Sequence, residues 1–298
     1  MDHHEGKRGS ALAFAALSIC LWSSLALLSS RVAHLPALLS VGVALSVGGL
    51  VGLVRVREWR IPPATFIVGL GGIFGYHALL FTAFRLSPAV EVNLLNYLWP
   101  LLIVLLTPLF LPGMNLLVRH VLGALMGLAG AALVASGGRF GLDLAHGLGY
   151  LLAAGAALVW ASYSLLTKRL PPFPSAAVGG FCLASGLLSL ALFRVEGGTS
   201  FSMPAIRPVD WLYLCLLGIG PMGAAFYSWD AALKRGDPRV IGTLAYLTPL
   251  LSTLNLVLFG RGHLSPSSAV AMLLIVAGAA AGSIDPSQVR RRRLEIGR

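Results

Sequence analysis

Long apolar runs, separated by short polar breaks, follow one another along almost the whole chain. Each run is about 20 residues long, the length that an α-helix needs to cross a hydrocarbon core of about 30 Å. The breaks are charged or rich in Pro and Gly, which mark turns between helices. The pattern predicts ten membrane-spanning helices, here called span 1 to span 10, near residues 11–29, 35–54, 63–84, 89–110, 118–136, 147–167, 176–193, 210–231, 240–259 and 266–283.

The composition supports this prediction. Hydrophobic residues make up 57% of the 298 residues and charged ones only 11%, and the mean hydropathy is +0.83. A soluble fold of this size could not bury so much apolar surface. We therefore expect an all-α integral membrane protein that is embedded in a lipid bilayer and has no soluble domain.

The net charge of +11 raises the question of nucleic acid. The cations are scattered between apolar runs, apart from Arg290 to Arg293, so we expect no nucleic-acid partner. The three cysteines lie within apolar runs without the spacing of metal ligands. We expect no metal and no cofactor.

The cations also predict the orientation of the spans. If the N-terminus is cytoplasmic, sixteen of the 22 cations fall at cytoplasmic ends and only six, at positions 31, 85, 139, 194, 207 and 261, fall outside. Cytoplasmic loops of membrane proteins carry such an excess of Lys and Arg. Both termini are therefore predicted to be cytoplasmic.

Similar motifs recur half a chain apart. Tyr97-Leu-Trp-Pro100 in span 4 matches Tyr246-Leu-Thr-Pro249 in span 9, and Ala129–Ala132 matches Ala277–Ala280. Two repeats of five spans each, residues 1–140 and 141–298 with a basic C-terminal tail, must cross the membrane in opposite senses because five is odd. Secondary transporters commonly have such inverted-topology repeats and bind substrate near the midplane.

These motifs resemble a known family. Trp22-Ser23, Gly75-Tyr-His77, Asn96-Tyr-Leu-Trp-Pro100 and Tyr246-x-x-Pro249 are similar to the drug/metabolite transporter superfamily, in particular its EamA branch and the YddG-type aromatic amino-acid exporters of bacterial inner membranes. The resemblance covers essentially the full length. It implies a multi-pass inner-membrane protein that exports amino acids, aromatic and other neutral ones, by alternating access.

Helical periodicity of about 100° per residue gathers polar and aromatic residues on one face of six spans. Polar groups are costly in hydrocarbon, so these faces are expected to point inward and line a central cavity. Aromatic rings suit an apolar side chain and an ammonium group, while amide and hydroxyl groups suit a carboxylate. The candidate substrate-binding residues are Trp22, Tyr76, His77, Asn93, Asn96, Tyr97, Trp99, Trp160, Tyr163, Ser164, Tyr227 and Tyr246.

Several interpretations stay open. Trp99 lies roughly 120° from the polar face of span 4, so it faces the cavity, a neighbouring helix or lipid. His77 either borders the cavity or is a structural histidine. Pro100 and Pro249 are gating hinges or static bends, since proline removes a helix hydrogen bond.

Two carboxylates lie within or near spans. Asp230 precedes Lys234 by four residues, and a local helical ion pair is the favoured interpretation. Glu91 is expected to cap its helix or to pair with Arg85.

Three other functions can be compared with this pattern. A similar cavity would suit other small metabolites or amphipathic cationic drugs. A membrane-embedded enzyme would need a reactive constellation such as HExxH, and the sequence contains none. A purely structural protein would not explain inward polar faces on six helices. The coupling ion and the oligomeric state are not predicted.

Overall fold

The computed structural model describes residues 2–137, 143–197, 205–259 and 266–283, with side chains from residue 6 onwards and, in the last range, from residue 269. The basic tail with Arg290 to Arg293 lies outside the described residues. Within them all regular structure is helical. The α-helices are α1 (Asp2–Ser23), α2 (Leu25–Arg31), α3 (Ala37–Val51), α4 (Pro63–Leu86), α5 (Ala89–Asn96), α6 (Leu98–Phe110), α7 (Val118–Ser136), α8 (Gly147–Arg169), α9 (Val178–Glu196), α10 (Pro208–Ile219), α11 (Ala225–Arg235), α12 (Pro238–Ala245), α13 (Leu247–Leu258) and α14 (Pro266–Ser283).

Nine helical stretches of this described part are long and apolar enough to cross a membrane. They coincide with the predicted spans 1 to 9 and extend several of them by a few residues, as in Gly6–Arg31 and Pro208–Arg235. Helix α14 covers the predicted span 10, and its segment Ala269–Ser283 is a shorter apolar helix. The apolar runs therefore predicted the positions of these nine spans correctly.

Spans 4 and 9 are each divided into two helices at their tyrosine. Helix α5 ends at Asn96 and α6 begins at Leu98, while α12 ends at Ala245 and α13 begins at Leu247. The prolines three residues later explain both positions. A proline has no N–H to donate to the carbonyl four residues back, and its ring pushes that carbonyl away. The bends are thus present, next to Tyr97 and Tyr246.

Span 8 is interrupted differently. Helix α10 and helix α11 are joined by a π-helical turn, Gly220–Ala224, which contains Pro221. A π turn inserts an extra residue relative to an α-helix and rotates everything that follows. The side chains of α11 are therefore out of phase with those of α10.

The helices pack in pairs drawn from the two halves of the chain: α3 on α9, α7 on α14, α4 on α8 and α1 on α11. The backbones of α7 and α14 approach each other closely. A Cβ added at Gly123 would lie 2.6 Å from the carbonyl oxygen of Gly278, and the converse distance is also 2.6 Å. Small residues allow such approach between membrane helices.

Polar contacts tie the helix ends together at one end of the bundle. Lys168 Nζ donates to the Leu233 carbonyl at 3.0 Å, and Lys234 Nζ donates to the Phe173 carbonyl at 2.8 Å. Arg239 donates to the carbonyl of Asn115. These contacts join the end of span 6 to the end of span 8, the end of span 8 to the loop before span 7, and the start of span 9 to the loop before span 5.

A second set of contacts joins the other helix ends. Ser87 Oγ donates to the His146 carbonyl at 3.0 Å, and Arg85 Nη1 lies 2.8 Å from Glu196 Oε1. The expected pairing of Arg85 with Glu91 is therefore wrong, because a partner distant in sequence lies within reach of Arg85. Glu91 is half-buried, and its Oε2 has no hydrogen-bond partner within the described part of the chain.

The buried carboxylate of Asp210 makes further contacts at this end of the bundle. It accepts a hydrogen bond from Arg207 Nη2 at 2.7 Å and lies 3.1 Å from His34 Nε2. This contact links the loop between spans 1 and 2 to the start of span 8.

Candidate functional site

Aromatic side chains from five spans meet in the interior of the bundle. We call this group the aromatic cluster: Trp22, Tyr76, His77, Trp99, Trp160, Tyr163, Phe226 and Trp229. They come from spans 1, 3, 4, 6 and 8. No single helix could present so many rings at one level, so the cluster exists only through the packing of these spans.

Trp160 lies at the centre of the cluster. Its ring centroid is 5.9 Å from that of Trp22, 5.2 Å from Tyr76 and 5.4 Å from Phe226. Most of these ring pairs are tilted or edge-to-face, the arrangements that the ring quadrupole favours. Trp160 is also buried. The short ring distances show that the other rings converge on it.

Trp22 completes a set of four tryptophans. Its ring centroid is 5.1 Å from that of Trp229 and 5.9 Å from Trp99, and Trp99 is 5.5 Å from Trp229. Trp99 is buried in this set, so it faces the interior and not lipid. The helical projection placed Trp99 off the polar face because it assumed one continuous helix, whereas span 4 breaks at Tyr97.

Two of the indole N–H groups have fixed partners. Trp22 Nε1 donates to the Pro221 carbonyl at 3.1 Å, and Trp229 Nε1 donates to Ser164 Oγ at 3.0 Å. A buried indole usually needs such a partner. The predicted residue Ser164 therefore holds a wall of the cluster in position.

Polar groups border the cluster on the side of span 3. Asn96 Nδ2 donates to the Tyr76 hydroxyl at 3.2 Å, while Asn96 Oδ1 is buried without a hydrogen-bond partner in the described residues. Turning the amide round would leave the other atom without one. The His77 Nδ1–H donates to the Ile73 carbonyl at 2.7 Å, so in the neutral ring Nε2 is left as an acceptor.

Eight of the twelve predicted substrate-binding residues belong to the aromatic cluster or border it. Six are members of the cluster, and Asn96 and Ser164 contact members of it. The remaining four, Asn93, Tyr97, Tyr227 and Tyr246, are not part of this group. Asn93 is half-buried, and its side chain has no hydrogen bond within the described ranges. Tyr97 is half-buried beside a second apolar cluster formed by α6, α7, α13 and α14.

Tyr227 and Tyr246 are directed elsewhere. The Tyr227 hydroxyl donates to the Gly48 carbonyl at 2.9 Å, so it braces span 8 against span 2. Tyr246 is fully buried in the second apolar cluster. Its hydroxyl accepts from the Leu101 N–H at 3.1 Å and donates to the Tyr97 carbonyl at 3.1 Å.

The sequence analysis missed two members of the cluster, Phe226 and Trp229. It applied a period of about 100° per residue to span 8 as if this span were a single α-helix, and so placed Tyr227 on the inward face. The π turn shifts the phase, so that Phe226 and Trp229 face inward instead. The one available signal was Pro221, because a proline inside a span indicates a disturbed turn.

The charged side chains nearest to the site lie beside the aromatic cluster and not within it. Asp230, next to Trp229, is buried and pairs with Lys234 Nζ at 2.6 Å, which confirms the predicted local ion pair. The eight members of the cluster itself include no carboxylate, lysine or arginine. The site therefore offers apolar rings, acceptors and a hydroxyl, which suit binding a molecule with a large apolar group and a small polar end.

A multi-span helical bundle with an aromatic site in its interior has the form of a membrane transport protein. The sequence profile of the EamA-like transporter family matches residues 9–136 and 147–283, and the chain belongs to this family. It is a multi-pass protein of the bacterial inner membrane and, like its relatives, a transporter and not an enzyme.

Three comparisons extend this result. The chain is 43% identical to the aromatic amino acid exporter YddG of Ancylobacter novellus over 93% of this chain and 98% of that one. It is 27% identical to the exporter of the same name from Salmonella typhimurium, over 80% and 84%. A solved crystal structure at 42% identity superposes with a TM-score of 0.84, over 93% of this chain and 98% of that one.

Proposed function

We propose that this protein exports aromatic amino acids, and other large neutral ones, from the cytoplasm by alternating access. The observation that carries the proposal is the aromatic cluster, which joins five spans in the interior of the bundle. The relative at 43% identity is named for aromatic amino acid export, and this similarity covers nearly all of both chains. Such a protein moves a small molecule across a lipid bilayer.

The cluster matches the chemistry of this substrate. An aromatic side chain stacks edge-to-face among Trp22, Trp99 and Trp160 when those rings separate to admit it. The ammonium group gains from the ring faces and from two acceptors, Asn96 Oδ1 and His77 Nε2. The Tyr76 hydroxyl, which accepts from Asn96, keeps its own proton to donate to the carboxylate.

The Asn96 amide supplies a physical reason for binding a polar group. A buried polar atom without a partner costs about 1–3 kcal/mol. An ammonium group that donates to Asn96 Oδ1 removes this cost. A purely apolar ligand does not.

We further propose that the fold consists of ten spans in two inverted repeats with both termini in the cytoplasm. The family profile matches two successive stretches of similar length. Spans 4 and 9 break at corresponding tyrosines. The two sets of end contacts also support alternation, because each set joins only those ends that ten alternating spans would bring to one side.

The bends at Pro100 and Pro249 are proposed as hinges of the transport cycle. Both are buried where spans 4 and 9 meet. A bent helix with a weakened turn moves at lower cost than a straight one. Gly242, whose added Cβ would lie 3.1 Å from the Pro100 carbonyl, allows the two spans to touch there.

The transport proposal is tested by efflux from proteoliposomes loaded with labelled phenylalanine. Trp160→Ala is expected to lower the initial rate at least about tenfold, since the substitution removes the ring on which the cluster converges. Trp211→Ala is the matched control, because Trp211 is 45% exposed and lies outside the cluster. Equal rates in both variants, at equal amounts of folded protein, would contradict the proposal.

A competition panel defines the substrate class. Unlabelled tryptophan, tyrosine and leucine are expected to compete, whereas lysine, glutamate, a nucleoside and a cationic dye are not. Competition by the dye and not by tryptophan would favour a drug exporter instead.

The orientation is tested by labelling in spheroplasts with a membrane-impermeant maleimide. In a background with every cysteine replaced by alanine, Leu144→Cys is expected to react from outside and Arg60→Cys only after permeabilisation. Both residues are exposed and lie outside the predicted spans, so reactivity reports the side of the membrane. The opposite result would invert the proposed topology.

A further inference from the structure

Trp22 differs from the other three tryptophans of the aromatic cluster in its packing. Trp99, Trp160 and Trp229 are at most 8% exposed, whereas Trp22 is only half-buried. A ring that its neighbours enclose on all sides is held in place by close packing. A half-buried ring needs further contacts to keep one position in the cluster.

The ring of Trp22 is held at its edge by span 8. Its Nε1–H donates to the Pro221 carbonyl in the π-helical turn at 3.1 Å. This one hydrogen bond does not fix where the backbone of Trp22 lies. The position of the ring therefore also depends on the part of span 1 that carries it.

Span 1 is irregular directly after Trp22. Helix α1 ends at Ser23, and α2 begins two residues later. The Ser24 N–H donates to the Leu21 carbonyl, three residues back, at 3.1 Å, which is a tighter turn than that of an α-helix. The hydroxyl groups of Ser23 and Ser24 donate to the carbonyls of Cys20 and Leu21, each at 2.7 Å. Serines that bond to the backbone in this way bend helices, so span 1 has a weak point beside the cluster.

Span 9 ties down this weak point. Helix α13 packs against α1, and Asn255 Nδ2 donates to Ser23 Oγ at 3.0 Å. The single proton of the Ser23 hydroxyl goes to the Cys20 carbonyl, so the hydroxyl can only accept from the amide. An amide within a membrane span is costly without a partner. The buried Ser23 hydroxyl provides that partner and connects span 9 to the last turn of α1.

The equivalent contact in the other repeat has no such tie. Span 6 repeats the tryptophan of span 1, with Trp160 followed by Ala161 in place of Ser23. In span 4, Leu106 stands nine residues after the motif tyrosine, where span 9 has Asn255. Helix α8 packs against α6 as α1 packs against α13, but both positions there are apolar. The polar pair therefore accompanies the tryptophan that packing holds less well.

We propose that Asn255 and Ser23 are positioning residues for the substrate. They fix the backbone of Trp22, so that its ring forms a stationary wall against which the aromatic side chain of the substrate packs. This inference rests on the proposed export of aromatic amino acids. A wall that is in place before binding does not have to be ordered by the substrate, and this increases affinity. Loss of the tie therefore weakens binding more than it slows the later steps of the cycle.

The first test is the kinetics of phenylalanine efflux from proteoliposomes. Asn255→Leu keeps a similar volume without a donor, and it is expected to raise the KM at least about threefold while the maximal rate changes less than about twofold. Thr253→Val is the matched control, because Thr253 lies on the same helix and its Oγ1 donates to the Pro249 carbonyl of that helix at 2.9 Å. Its KM is expected to stay within about twofold of the wild type.

Ser23→Ala removes the acceptor of the same contact and is expected to raise the KM to a similar extent. It also replaces Asn255→Leu in the test if that variant does not fold. The double variant should raise the KM no further than the larger of the two single changes. A wild-type KM in the single variants, an equal rise in Thr253→Val, or an additive rise in the double variant would overturn the proposal.

A second measurement observes Trp22 itself and needs no transport. The protein is labelled with 5-fluorotryptophan in detergent, and the fluorine resonance of Trp22 is identified among the six tryptophans by its loss in Trp22→Phe. Asn255→Leu is expected to shift or broaden this resonance more than Thr253→Val does, and to leave those of Trp59 and Trp211 unchanged. An unchanged Trp22 resonance would overturn the positioning role. A wild-type protein that moves no phenylalanine would instead reject the proposed function, so the two failures are distinguishable.

Discussion

Spans 4 and 9 have the same motif and use its tyrosine in two different ways. Tyr246 is fully buried, and its hydroxyl sits between the Leu101 N–H and the Tyr97 carbonyl. Those two groups are four residues apart, so in a straight helix they would bond to each other. The side chain of span 9 thus replaces a backbone hydrogen bond that span 4 has lost.

Tyr97 makes no equivalent contact. It is half-buried at the bend of span 4, and its hydroxyl has no hydrogen bond in the described portion of the chain. Gly127 accounts for the difference, because it leaves room for the ring of Tyr246. The offset that relates Ala129–Ala132 to Ala277–Ala280 in the proposed repeat also relates Gly127 to Ile275. The second repeat therefore has a large side chain where the first has a glycine.

The comparison shows that one repeated motif can serve structure in one copy and leave the other copy free for binding. Asn96, next to Tyr97, contacts the aromatic cluster, whereas Ala245 stands next to Tyr246. The sequence analysis placed both tyrosines on the substrate path, and the contacts favour a structural role for Tyr246. The following predictions test this difference.

The largest effect is expected from Gly127→Ala. The added Cβ would lie 2.4 Å from the ring of Tyr246, in a region that is already fully packed, so we expect a loss of about 3 kcal/mol of stability. The measurement is unfolding in a titration with sodium dodecyl sulfate. Gly71→Ala is the control, since an added Cβ at Gly71 meets no atom within 4 Å. A second substitution, Tyr246→Ala, should recover part of the loss, and strict additivity of the two would show that the ring is not the cause.

Tyr246→Phe should have the next largest effect. It leaves the Leu101 N–H and the Tyr97 carbonyl without their bridging hydroxyl, which is expected to cost about 1–2 kcal/mol. Tyr97→Phe should change stability by less than about 0.5 kcal/mol. Thermal unfolding in detergent compares the two variants. Reduced transport by Tyr246→Phe at unchanged stability would instead support the interpretation that Tyr246 binds substrate.

Asn96→Ala is expected to act on transport more than on stability. It removes the amide that borders the aromatic cluster, and we expect the KM for phenylalanine to rise about fivefold, which corresponds to about 1 kcal/mol. Asn93→Ala, three residues earlier on the same span, should change the KM less than twofold. Proteoliposome efflux over a range of substrate concentrations measures both. An equal change in the two variants would remove Asn96 from the site.

The smallest effect concerns the starts of the two spans. Asp237 precedes span 9 where Ser87 precedes span 4, and only Asp237 titrates. The pKa of Asp237 is lowered in the folded protein. Its contribution to the free energy of unfolding is therefore fully present above its unfolded pKa of about 3.9, and this contribution is lost as the pH falls through the lower pKa of the folded protein. We expect less than about 1 kcal/mol, seen as a fall in melting temperature below pH 4 that is weaker in Asp237→Asn. Ser87→Ala should leave the pH profile unchanged.

The sequence predicted the spans well and the site in part, for a physical reason. The bilayer imposes a fixed length and an apolar composition on each span, and both are visible without any structure. Facing directions were predicted correctly where a span is one regular helix, as for Tyr76 and Trp160. They were wrong or open beyond an irregular turn: Trp229 follows the π turn of span 8, and Trp99 follows the break of span 4.

Contacts between distant parts of the chain could not be read from periodicity. The pairing of Arg85 with Glu196 and the insertion of the Tyr246 hydroxyl into span 4 both depend on how helices meet. The local pair of Asp230 and Lys234 was predictable, because residues four apart on a helix are neighbours.

The aromatic cluster also gives the protein a built-in optical signal. Four of the six tryptophans of the protein lie in the cluster, so their fluorescence emission reports on the same small volume. Replacing Trp59 and Trp211 by phenylalanine would remove the background from the other two. Any movement that parts the four rings, or any ligand that enters between them, then changes the fluorescence of the unlabelled protein.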